Sequence, residues 1–387
     1  MRPGLLLHVK RDGIPRVRRL ESVTAPTLCG ACHLDIPMDC GPRPLRALTL
    51  AAFSFSKDEV FTFCGWSLRA GETLSQHYAS GGRGAVVIKA TVLASPGDAH
   101  NRTDVVVKWV WAPKTRTAET DFVCRARTLA GKENPHMLDR LPNFLHVEEE
   151  VQIDEDLLLR VIVQELLAPL DDSTLTADEL AKAFKDILEC YRWLVEVAKI
   201  LHRDISVNNL MYRRIDGEIY GVLNDFDLSR FMDDSSGCAS DERIGTRLFM
   251  ALDLLDLRRP PIHLPRHDLE SLMYVLVFLV CEIEDEERMR LTDSNMDNAR
   301  GNKYRTLCTA FPLARPGFGR FDDWIFRLQS LFGDALYARC QAEIIIGFNK
   351  AQARRGGKKR QELPEVDDET LGGRVTFDTF AAALCEL

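Results

Sequence analysis

A long apolar run is the first thing the sequence lacks. Its longest uncharged stretch, LMYVLVFLVC at residues 272–281, is about half of the ~20 residues a bilayer span requires. That predicts a buried helix and no membrane partner. An excess of positive charge is also missing, since 50 Lys and Arg face 58 Asp and Glu for a net charge of −8. Such a surface is poorly suited to neutralising nucleic-acid phosphates or to lying on anionic lipid, so nucleic acid is not an expected partner either. The 11 cysteines follow no framework spacing. The opening residues, MRPGLLLHVKRDG, hold a three-leucine run too short for a secretory signal. Reduced thiols in an intracellular compartment, cytoplasmic or nuclear, are expected. No internal repeat is visible. What the chain does have is length and apolar content: 387 residues, 45% hydrophobic, enough for two domains or one large bilobal one.

Residues 1–75 are rich in Pro, Gly and Arg and carry no periodicity that assigns a structure. Strand-like runs follow, VVIKATVL at 86–93 and VVVKWVW at 105–111, joined by the turn-forming SPGDAHNRTD. That is a hairpin signal. Ala118, Phe122, Ala126 and Leu129 then recur at helical spacing, and a third strand, LLLRVIVQELL, ends before Pro169. An antiparallel sheet with one helix is expected over residues 80–168. From Thr176 the character changes. Thr176 and Glu179 form a capping box, and Leu180, Phe184, Ile187, Tyr191, Leu194, Ala198 and Leu201 keep a helical stripe that leads to His202. Two short apolar runs then flank Asp216-Gly217, a dipeptide suited to a two-residue hairpin turn. From Asp268 onward helix and loop predominate.

The stretch LHRDISVNNLMYRRIDGEIYGVLNDFDLS, residues 201–229, carries the chemistry. Asn209 lies seven residues before Asp216 and Asp225 eight after Gly217, so a hairpin turning there gathers both at its open end. Asp204 ends the connection that delivers the chain to the same place. Hard oxygen ligands with two carboxylates suit Mg²⁺, which takes a few protein ligands together with substrate phosphates.

These residues resemble the catalytic and metal-binding loops of protein kinases, H-R-D-x-x-x-x-N followed by D-F-x, and most nearly the fungal-type protein kinase-like family. The resemblance implies an α+β, bilobal protein-kinase-like fold. The small β-rich N-terminal lobe would occupy residues 76–168 and the larger, mainly helical C-terminal lobe 169–387, after an N-terminal segment 1–75, with ATP and Mg²⁺ held between the lobes. It implies Asp204 as the base, Asn209 and Asp225 as Mg²⁺ ligands, and transfer of the ATP γ-phosphoryl group to Ser or Thr of a protein substrate. Lys108 would pair with nucleotide phosphates and Glu119 would hold Lys108; Gly82, Gly84 and Glu165 complete the nucleotide set. Gly245-Thr246 through Asp253 resembles the end of an activation segment, and His267-Asp268 the start of a central buried helix.

The chain also departs from the family. Its glycine loop is short, Ser206 stands where a lysine is usual, Asp227 replaces the glycine of D-F-G, and Asp253 replaces a glutamate. A pseudokinase that binds or scaffolds is therefore a second reading, and a small-molecule kinase a third. Arg203 is a candidate holder for a phosphate in segment 229–246. Cys29-Gly-Ala-Cys32 supplies one zinc knuckle where structural sites use two. The basic run 350–360 and the acidic run 282–287 read as solvated segments, and Asp268 as a structural carboxylate. No motif specifies the substrate, a regulator or the oligomeric state.

Overall fold

The computed structural model describes residues 6–11, 14–19, 55–78, 84–98, 103–152, 157–233, 245–256, 262–309, 312–355 and 367–385. The chain divides into two compact units: residues 1–117 with 143–166, and residues 118–142 with 167–387.

The first unit is an eight-stranded sheet. Its strands are β1 (Leu6–Arg11), β2 (Ile14–Arg19), β3 (Val60–Phe63), β4 (Trp66–Tyr78), β5 (Gly84–Ala94), β6 (Asp104–Pro113), β7 (Phe144–Gln152) and β8 (Leu157–Glu165), in the order β2-β1-β3-β4-β5-β6-β8-β7. The expected hairpin is β5 with β6, antiparallel and in register from Gly84 opposite Trp111 to Thr91 opposite Asp104. One sheet face packs Phe61, Phe63, Trp66, Val105, Val107, Trp109, Val161 and Val163 into a single cluster. Alternation along a strand sends every second residue to that face. The stretch 1–75, which has no sequence period, contributes four strands to this sheet.

The second unit opens with α1 (Glu119–Glu133) and continues through β9 (Ala168–Pro169), α2 (Ala177–Trp193), β10 (Ile200–Leu201), β11 (Leu210–Ile215), β12 (Glu218–Leu223) and β13 (Arg230–Phe231). The helices α3 (Pro265–Val280), α4 (Asp285–Leu291), α5 (Met296–Cys308), α6 (Asp322–Arg354) and α7 (Phe377–Ala383) follow. The division at 76–168 therefore does not coincide with the compact units. Helix α1 belongs with the helical part because its inner face is committed there. Phe122 lies 4.5 Å from Phe231, and Glu119 accepts the Phe226 N–H at 3.0 Å.

Helix α2 forms as its sequence directs. The Thr176 hydroxyl accepts the Glu179 N–H at 3.2 Å, and the Glu179 carboxylate accepts the Thr176 N–H at 3.0 Å. All seven residues of the apolar stripe are buried. The helix does not run unbroken to His202: it loosens into a π turn over Leu194–Ala198 and stops at Lys199, whose backbone is left-handed (φ 58°). Residues 272–281 lie in α3 and at its end and are nearly all buried. Among the described residues, no helix is long and apolar enough to cross a membrane.

The capping box makes a measurable claim. Thr176→Ala is expected to lower the urea midpoint by the equivalent of about 1 kcal/mol with unchanged slope. An unchanged midpoint would show that packing of the stripe alone holds the helix.

Candidate functional site

The hairpin that the site needs is built as its turn residues demand. Strands β11 and β12 pair from Leu210 opposite Leu223 to Ile215 opposite Glu218, leaving Asp216 (φ 51°) and Gly217 (φ 86°) as the two turn residues. Positive φ at both central positions matches the twist of the flanking strands. At the open end, the Asn224 N–H donates to the Asn209 carbonyl at 2.9 Å. This places Asn209 beside the residue preceding Asp225.

The loop before the hairpin folds onto the same end. The Asn209 amide Nδ2 donates to the Asp204 carbonyl at 2.7 Å and to Asp204 Oδ2 at 3.2 Å. The other carboxylate oxygen, Oδ1, accepts from the Thr246 N–H at 2.8 Å and the Thr246 hydroxyl at 3.0 Å. His202 is fully buried and sets its Nε2 3.0 Å from the Asn224 carbonyl oxygen. Burial, and then the charge of Asp225, raise the Asp204 carboxyl above its ordinary value. Asp204, Asn209 and Asp225 thus share one end of the hairpin, as the residue count requires.

Asp225 has left-handed backbone (φ 62°), whereas Asp227 is not among the positive-φ residues. The position that carries glycine in D-F-G therefore imposes no backbone demand here. Carboxylate oxygens of Glu119, Asp225 and Asp227 all lie within 4.8 Å of one another. Glu119 sits in the first turn of α1, where the helix N-terminus favours an acid.

The remaining nucleotide candidates belong to the sheet unit. Lys108 is 5% exposed on β6, between β5 and β8, so it is no solubilising charge on a sheet edge. It occupies the face opposite the Val107 and Trp109 cluster. Gly84 is a strand residue whose missing side chain makes room for the Trp111 indole, since a Cβ would collide with that ring. Glu165 accepts the Asn143 N–H at 2.8 Å, tying the end of β8 to the segment that enters β7. Gly82, Cys29, Cys32 and most of segment 229–246 lie outside the described residues.

Asp268 and Asp253, both singled out in the sequence, are held by partners that no local pattern indicates. Asp268, 1% exposed, accepts the Arg203 N–H at 3.0 Å and the Tyr191 hydroxyl at 2.8 Å, and lies 2.7 Å from His263 Nε2. Asp253, on the motif that closes the activation-like segment, is gripped by Arg339 from α6 and by Arg266 at 2.7 Å. These cations overcome burial and hold its carboxyl well below the usual range. A cavity of about 440 Å³ lined by Phe249, Tyr274, Phe278 and Lys303 lies in the same unit, but none of the loop carboxylates lines it.

Residues 130–280 match the family described as fungal protein kinase. Over those residues the chain is similar to protein kinases. A curated relative in Arabidopsis thaliana, L-type lectin-domain containing receptor kinase I.1, is 33% identical over 86 residues, which are 22% of this chain and 12% of that protein's length. The solved structure of the Cydia pomonella granulovirus kinase PK-1 is similar over 74% of this chain and 92% of its own, at 14% identity and a TM-score of 0.44.

The Asp253 cluster yields a pH prediction. His267 is buried; its Nδ1 accepts the Leu264 N–H at 3.0 Å, and its Nε2, 3.7 Å from Asp253, is too far for a hydrogen bond. Burial lowers its pKa from 6.5 to about 4. The folded state therefore binds fewer protons than the unfolded chain between those values, and stability falls as pH drops through that window. The depressed Asp253 then extends the loss below pH ~4. Chemical unfolding at pH 7 and pH 4.5 should lose up to roughly 3 kcal/mol in wild type. The loss should be clearly smaller in His267→Gln, and equal slopes for both proteins would refute the assignment.

Proposed function

We propose that the chain is a phosphotransferase moving the γ-phosphoryl group of ATP to Ser or Thr hydroxyls of a protein, in an intracellular compartment. Asp204 is the base, and Asn209 and Asp225 hold Mg²⁺. The observation that carries this reading is the convergence of Asp204, Asn209 and Asp225 at the open end of the hairpin.

The donor set fits the ion. Asn209 spends its amide Nδ2 on Asp204, which leaves Oδ1 as its ligand atom, and Asp225 adds a carboxylate on a neighbouring turn. Oxygen-only donors of this kind suit Mg²⁺ and not a softer metal. The charge of Asp225 already disturbs Asp204, so a cation between phosphate and protein relieves a repulsion present in the fold. When bound, Mg²⁺ supplies charge neutralisation on the phosphate oxygens.

The chain's own groups do the rest. An ionised carboxylate has about four acceptor positions. Asp204 uses two at Oδ1 for Thr246 and one at Oδ2 for Asn209. The remaining position on Oδ2 is available to a substrate hydroxyl, which it orients and whose proton it accepts. Thr246 and Asn209 act as positioning residues. Lys108 is assigned to the nucleotide phosphates, with Gly82, Gly84 and Glu165 as the other nucleotide residues. Glu119 supports the loop through the Phe226 N–H.

A pseudokinase reading is favoured by Ser206, which removes one cation, and by the crowding of Asp227 with Asp225 and Glu119. Radiolabelled ATP transfer and thermal shift separate the two. Asp204→Asn is expected to lower kcat by about 10²–10⁴-fold while keeping the shift with ATP and Mg²⁺. Asp225→Asn should lose the metal-dependent part of the shift, and Lys108→Met should weaken the nucleotide-dependent part. A wild-type shift without any transfer would leave the pseudokinase reading standing. Equal transfer by wild type and Asp204→Asn would place the activity in a contaminant.

A further inference from the structure

A second set of mixed donors lies within the sheet unit, unconnected with phosphoryl transfer. We propose that Cys64, His146 and Glu148 form a binding site for a borderline divalent metal ion, Zn²⁺ above all, that staples the β3–β4 turn to β7.

The three side chains come together because the sheet curls. Strands β3 and β7 stand far apart in the sheet order, yet Phe63 on β3 lies 6.1 Å from the His146 ring on β7. His146 and Glu148 pair with Val163 and Val161, two members of the apolar cluster. They therefore take positions on the inward-facing register of β7 that apolar residues would ordinarily fill. The imidazole ring also lies 6.0 Å from Trp66. Ligand atoms of Cys64, His146 and Glu148 all lie within 4.8 Å of one another. A tetrahedral zinc ion holds its ligands about 3.5 Å apart, so closure requires side-chain rotation and no strand movement.

Two observations point to a ligand and not merely to a polar patch. His146 Nε2 is shielded from solvent and has no hydrogen-bond partner, its distance to Glu148 being 3.7 Å. A shielded ring nitrogen without a partner costs free energy that a metal bond would recover. The second observation is Cys64 itself. With Gly65 (φ 82°) it forms the two-residue turn between Phe63 and Trp66, and its own backbone is left-handed (φ 46°). Asn, Asp or Gly is the economical choice there, so a thiol brings strain and no benefit to the turn. Binding replaces the thiol proton with the ion and releases that proton to solvent. A thiolate, an imidazole and a carboxylate suit zinc and exclude magnesium or calcium, which take oxygen. Three protein ligands leave a fourth position for water.

The test uses the full chain, stripped with chelator, dialysed against Zn²⁺ and analysed for bound metal, alongside absorption spectra of the Co²⁺-loaded protein. Wild type is expected to bind Zn²⁺ and to show a sulfur-to-cobalt charge-transfer band. Cys64→Ser should abolish that band and weaken the binding at this site by more than ~100-fold, since even loss of an outer-shell partner costs 10–100-fold. A Cys29→Ser/Cys32→Ser double variant separates the other knuckle and should keep the band. Should Cys64→Ser fail to fold, Glu148→Gln, which preserves shape, carries the test and should weaken binding. A band and affinity unchanged in Cys64→Ser, or lost only in the double variant, would overturn the proposal, as would a folded wild type that takes up no Zn²⁺.

Discussion

Everything at the loop end of the helical unit depends on one buried carboxylate, Asp268. An ion removed from water costs several kcal/mol unless it is paired and hydrogen-bonded. Asp268 meets that cost with groups from three segments: the Tyr191 hydroxyl of α2, His263 just ahead of α3, and the backbone N–H of Arg203. Burial alone would push its carboxyl up, but His263 and the Arg203 N–H outweigh it and hold it down. The carboxylate thus remains an acceptor, and its contact with Arg203 fixes the chain one residue before Asp204. Arg203 is held in left-handed backbone (φ 72°), a conformation that costs about 1–3 kcal/mol and persists only where surroundings over-determine it. Asp268 is that determinant.

From this anchor the site is assembled by short-range constraints. Among the described residues, four of the seven non-glycine positions with positive φ, Lys199, Arg203, Asp216 and Asp225, fall between the end of α2 and the D-F-D turn. Each turns the chain where a helix, loop or strand must give way to the next. Thr246 reaches Asp204 by a similar device. Gly245 (φ 129°) passes so close to the Arg203 carbonyl that a Cβ would stand 3.2 Å from it. The loop that carries Asp204 and the segment that carries Thr246 are therefore registered through backbone. Long side chains, which would lose more entropy on ordering, play little part.

The legible part of this structure is the local part. The capping box at Thr176, the α2 stripe, the two-residue turn at Asp216-Gly217 and the hairpin register each follow from spacing within a few residues, and those spacings are what bring Asn209 next to the turn carrying Asp225. Strand β7 is not legible in sequence because FLHVEEEVQ alternates poorly: His146 and Glu148 break the inward apolar positions. The strands of residues 1–75 are defined by their pairing partners and not by their own periods. Helix α1 adjoins the sheet strands in sequence, yet its anchors, Phe226 and Phe231, lie about a hundred residues on. The Asp253–Arg339 pair spans 86 positions, a separation no local pattern encodes.

The departures from the kinase pattern acquire meaning only through what each position uses. Asp227 in place of glycine is neutral for the backbone, because the left-handed residue is Asp225; its effect is electrostatic, through the carboxylates gathered within 4.8 Å. Ser206 is 2% exposed and begins a short 3-10 turn, so a lysine there would have to displace packed neighbours as well as bring charge. The two departures thus act in the same direction, one adding a negative group and the other omitting a positive one. Electrostatic stabilisation of a transferring phosphoryl group depends on fixed positive charge in a water-poor site. In a loop so weighted toward carboxylates, a cation held at the proposed site would have to supply a larger share of that charge than it would beside a lysine.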